Sequence, residues 1–129
     1  MFRFTLGRHR FTRLHLILWV CGLVLVTGMS VQGVIARPGT AGGDKLVHFA
    51  SYLALGYFYP RPLLGRRGYL CVWAFLTGLG GLLEFLQWGF IRAGIGDPLD
   101  ALANSLGAAC GLILFYSTQS GRKNGKQDI

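Results

Sequence analysis

The chain has 129 residues, enough for one compact domain. Hydrophobic residues make up 52% and charged residues 14%, well below the roughly 25% charged share of a soluble domain, so disorder is excluded and an integral membrane protein is expected. The formal net charge of +8 would ordinarily suggest nucleic acid, and the placement of the cations has to decide that point.

The first apolar run covers 14–36 and contains no Asn, Asp, Glu, Lys or Arg. At about 1.5 Å per residue it exceeds the roughly 30 Å of a hydrocarbon core. Its basic flank and apolar stretch also resemble a cleavable signal peptide. The run is longer than a usual signal core and Pro38 sits just past the would-be cut, so a retained span is expected. Cleavage would leave the rest of the topology unchanged. The second run, 46–59, is short and closes with Pro60-Arg61-Pro62; with Asp44 and Lys45 it spans about 24 Å. The third, 69–91, is broken only by Glu84 and Gln87 among its strongly polar residues, and the fourth, 99–117, carries Asp100 and Asn104 near its start.

Continuous runs near 20 residues fit helices, and only helices or closed barrels satisfy the backbone in lipid. The expected fold is therefore all-α, a polytopic bundle of four transmembrane helices. A basic N-terminus (1–13) precedes the transmembrane domain (14–117), and a polar tail (118–129) follows it. Ten of the thirteen cations lie before the first run, between the second and third, or after the fourth. That asymmetry predicts both termini on the cytoplasmic side and explains the charge without nucleic acid. Cys21, Cys71 and Cys110 form neither a disulfide framework nor a metal-ligand spacing.

Ionisable residues inside a span cost about 2.5–3.5 kcal/mol each at a helix centre, so each needs a partner or a function. On the second run Lys45, His48 and Tyr52 share one face, with Asp44 four residues before His48. Glu84 and Gln87 follow on the third, with Arg92 just beyond; Asp97, Asp100 and Asn104 fall on one face of the fourth. The topology brings all of them to the outer end of the bundle. Four carboxylates there face two fixed cations, Lys45 and Arg92, and one histidine, a mismatch that implies a protonated acid, a bound cation or water access. Glu84, His48 and Asp100 are the candidate acid, base or catalytic groups. Asp44, Lys45, Gln87, Arg92 and Asn104 are the candidate ligand-binding residues. Tyr52 reads as a packing residue with its hydroxyl tied down. His48 with Asp44, Glu84 or Asp100 would supply N and O ligands, but there is no HExxH and no paired histidine, so no metal or cofactor is predicted. Gly78, Gly80, Gly81, Gly107 and Gly111 predict close packing of the third and fourth helices.

Asp44-Lys45 with His48 and Tyr52, then Glu84-x-x-Gln87, Arg92, and Asp100-x-x-x-Asn104 with Gly107 and Gly111 resemble the VanZ-like family of small bacterial membrane proteins. The resemblance covers about 44–115 and implies the bacterial inner membrane. Glycopeptide resistance, associated with the family's namesake, does not transfer on similarity alone. Two functions are expected from these residues. One is a site at the outer leaflet that binds or modifies an anionic lipid-linked cell-envelope precursor, with catalysis left open. The other is a non-enzymatic accessory subunit, its partners other membrane proteins and the surrounding lipids.

Overall fold

The computed structural model describes residues 6–31, 43–60, 65–91 and 97–124, and these are helical almost throughout. Helix α1 covers Leu6–Val31, α2 Gly43–Tyr57, α3 Gly65–Leu86 and α4 Pro98–Asn124. A π-helical turn, Gln87–Ile91, extends α3. Three helices contain stretches long and apolar enough to cross a membrane, Arg13–Ser30, Arg67–Phe90 and Pro98–Thr118. This makes the chain a membrane protein by length and composition. At 15 residues, α2 is shorter, about 22 Å. Helix α4 continues past the apolar run through 118–124.

The outward surface agrees with a lipid solvent. Val24, Leu25, Leu70, Phe85, Phe90 and Ile113 are each more than half exposed. Apolar surface on that scale would drive a water-soluble protein to associate. The buried core is small: Tyr52 and Leu55 from α2, Val72 and Leu76 from α3, Ala108 and Leu112 from α4.

Helices α2 and α4 form the tightest pair. A Cβ at Gly107 would strike the carbonyl oxygen of Phe49, one at Gly111 that of Leu53, and one at Gly56 would come within 2.6 Å of the Ala108 oxygen. The glycine pair of α4 therefore seats α2. This corrects the expectation that it would seat α3, since a small-residue face does not specify which neighbour fills it. Helix α3 meets α4 through Gly80 instead, where an added Cβ would lie 2.8 Å from Asn104 Nδ2. Gly78 and Gly81 have no neighbour within 4 Å among the described residues.

Helix α1 is tied on at two levels. Trp19 Nε1 donates to the Leu55 carbonyl at 2.8 Å. That carbonyl lies in the last turn of α2, where helical partners run out as the chain approaches Pro60. The Trp19 ring also stands edge-on to Tyr59, with centroids 5.3 Å apart. At the other end, Gln87 Nε2 donates to the carbonyl of Ser30, in the last turn of α1.

Candidate functional site

The start of α4 is written as a helix N-terminus. Asp97 caps it, its Oδ1 accepting from Leu99 N at 2.9 Å, and Pro98 occupies the first helical position, where its missing N–H leaves no donor unpaired. In a capping box the acid three residues past the cap would reach back to the cap's own N–H. Here that N–H donates instead to Glu84 Oε2, 3.2 Å away on α3. Asp100 is thereby left to point into the bundle, where only 3% of it is exposed.

Lys45, from the first turn of α2, closes the end of the cluster. Its ammonium lies 2.7 Å from Asp97 Oδ2, 3.3 Å from Asp44 Oδ2 and 3.3 Å from Asp100 Oδ1. The Asp97 carboxyl is held below the usual carboxylate range, first by the Lys45 ammonium and then by the Leu99 N–H. Asp44 is lowered too, chiefly by the backbone N–H of Lys45 that it accepts at 2.9 Å. Lys45 is raised above its ordinary value, with Asp97 the main cause.

One turn deeper, His48 is buried between α3 and α4. Its Nδ1 meets Asn104 Oδ1 at 3.1 Å. A carbonyl oxygen only accepts, so Nδ1 carries the proton. Nε2 faces the two buried acids, 3.8 Å from Glu84 Oε1 and 3.8 Å from Asp100 Oδ2. Glu84 Oε1 has no hydrogen-bond partner among the described residues. Among the described residues Asp100 Oδ1 has only the ion pair with Lys45, without hydrogen-bond geometry. The Tyr52 hydroxyl, one turn further along the same face, is buried and makes no hydrogen bond among the described residues. This corrects the expectation that it would be tied down: apolar side chains of the core surround the ring.

Of the expected site residues, Asp44, Lys45, His48, Glu84, Asp100 and Asn104 come together. Gln87 is buried but belongs to the α1 joint, bonded to Ser30. Arg92 lies outside the described residues. Asp97, expected on the face of Asp100 and Asn104 but not among the candidate binding or catalytic residues, joins α2, α3 and α4 at once; the Asp-Pro pair opening an apolar run is the signal for it. Beside Glu84 a cleft of about 270 Å³ opens between α3 and α4, its other walls Gly81, Phe85, Trp88, Asp97, Pro98 and Ala101. No family model, curated protein or solved structure matches the chain.

Proposed function

We propose that this chain is a VanZ-like, multi-pass protein of the bacterial inner membrane that binds or modifies an anionic lipid-linked envelope precursor at its outer face. In this reading both termini are cytoplasmic, and α2 is a fourth, short span accommodated by local thinning and by its polar first turn. The observation that carries it is Glu84, a buried acid with one oxygen free of hydrogen bonds among the described residues, on the wall of a cleft also lined by Phe85 and Trp88. Glu84 and Asp97 beside the rings of Phe85 and Trp88 suit a headgroup whose chains remain in the bilayer. Lys45 is already shared among three carboxylates, so Arg92 is the residue assigned to the anionic group.

A second reading, an accessory subunit in a larger membrane complex, is favoured by how much of the polar set is occupied internally. Lys45, Gln87, Thr77 and Trp73 all bond across helices.

Glu84→Gln, Arg92→Ala and Asn104→Ala in native membranes separate the two. Normal abundance with loss of one co-purifying lipid by native mass spectrometry supports the site. Collapse of abundance in all three, with no lipid selectively lost, assigns the cluster to assembly.

A further inference from the structure

At the centre of the cluster three ligand-type atoms from three helices converge: His48 Nε2, one oxygen of Glu84 and one of Asp100, all within 4.8 Å of one another. With Nδ1 engaged by Asn104 Oδ1, Nε2 is the ring nitrogen turned toward the two acids. Three ligand-type atoms face each other in a space with almost no solvent exposure, and one of them, Glu84 Oε1, has no hydrogen bond among the described residues. The surrounding charge is also unbalanced. Asp44, Asp97 and Asp100 share the single ammonium of Lys45, and Glu84 receives no lysine or arginine among the described residues.

We propose that His48, Glu84 and Asp100 hold a divalent transition-metal ion of the zinc class. Bonds of about 2.0–2.2 Å in a tetrahedral site place ligand atoms roughly 3.4 Å apart. The two His48 separations of 3.8 Å exceed that by a few tenths of an ångström. The two carboxylates repel one another, and a dication between them draws them in.

The other atom of each ligand is already engaged, as metal sites require for orientation. His48 Nδ1 bonds Asn104 Oδ1, Glu84 Oε2 accepts the Asp97 N–H, and Asp100 Oδ1 faces Lys45. One imidazole with two carboxylates suits zinc or manganese better than magnesium or calcium, which favour all-oxygen shells, and better than copper(I), which favours sulfur. Three protein ligands leave a fourth position, the pattern of a site that receives a small molecule or a substrate oxygen. Of the three ligands, Glu84 also lines the cleft between α3 and α4. Metal binding does not depend on the lipid reading; that the fourth position takes an anionic headgroup oxygen does rest on it.

The test uses the full chain in detergent, purified without a histidine tag, stripped with chelator and reloaded with Zn²⁺ or Co²⁺. After desalting, about one zinc per chain is expected by elemental mass spectrometry, with Co²⁺ giving the intense visible bands of a four-coordinate site that Zn²⁺ then abolishes. His48→Ala is expected to lose the metal and His15→Ala to keep it. Asn104→Ala is expected to weaken binding about 10–100-fold, as loss of an outer-shell partner does. Retention of the metal in His48→Ala, its loss in His15→Ala instead, or folded wild-type protein that binds far less than one equivalent of either ion overturns the assignment. If His48→Ala fails to fold, the Co²⁺ spectrum of the wild type decides. A lipid that still co-purifies with metal-free protein leaves the proposed function standing while the metal site falls.

Discussion

His48 and Asn104 meet across the interface of α2 and α4, Nδ1 to Oδ1 at 3.1 Å, with only 2% of either residue exposed. This pair sets both the ring tautomer and the direction of Nε2. Gly80 makes room for it, since any side chain there would meet the Asn104 amide.

Asn104→Ala leaves the buried Nδ1–H without its acceptor. A stranded buried donor costs about 1–3 kcal/mol. The variant is expected to melt measurably earlier than wild type in the same detergent. An unchanged melting temperature would show that the His48–Asn104 bond contributes nothing to stability.

The glycines allow a test with an internal control. A methyl at Gly107 or Gly111 meets backbone of α2, which cannot swing aside as a side chain can. Alanine at either position is expected to destabilise by about 1–3 kcal/mol, the usual cost of overpacking. Gly78→Ala and Gly81→Ala meet nothing within 4 Å among the described residues and should be neutral or stabilising by up to about 1 kcal/mol through helix propensity. Thermal melts of the four variants check the contrast; equal loss at all four positions would contradict the α2–α4 contact.

Much of the site was legible in the sequence because ionisable residues in apolar runs stand out one by one. The spacing of Lys45, His48 and Tyr52, and of Asp97, Asp100 and Asn104, places each set on one helical face, and Lys45, His48, Asp97, Asp100 and Asn104 do meet in one cluster over two successive turns. Periodicity assigns a residue to a face of its own helix, however, and not to the helix opposite. For that reason periodicity does not reveal that Gly107 and Gly111 seat α2, or that Gln87, three residues after Glu84, joins α1. The reach of Glu84 to the backbone of Asp97 was likewise hidden, since it depends on a tertiary contact replacing a local cap.

Acid is expected to loosen the outer end of the bundle. Asp44 and Asp97 have folded-state pKa values below their unfolded ones, through the groups of Lys45 and the Leu99 N–H. A lowered folded value contributes stability that is fully present above the ordinary carboxylate pKa, near 4, and lost as pH falls through the folded value. Melting temperature should therefore fall as pH drops below about 4. Lys45→Met removes the ammonium and should flatten that part of the profile; parallel acid profiles for the two proteins would exclude Lys45 as its source.

The attachment of α1 can be isolated from the cluster. Described side-chain hydrogen bonds hold it at two levels, Trp19 to the Leu55 carbonyl and Gln87 to that of Ser30, and both acceptors lie in the last turns of their helices. Trp19→Phe keeps most of the ring's apolar contact while deleting the donor, so about 0.5–1.5 kcal/mol is expected to be lost. Gln87→Leu deletes the second tie, and because the two sites lie far apart along α1 their costs should add. Hydrogen exchange in micelles is the direct readout: amides of α1 should exchange faster in the double variant while those of α2 and α4, held by glycine-backed contact, keep their protection. Uniform acceleration across all four helices would instead make α1 an integral part of the cooperative core.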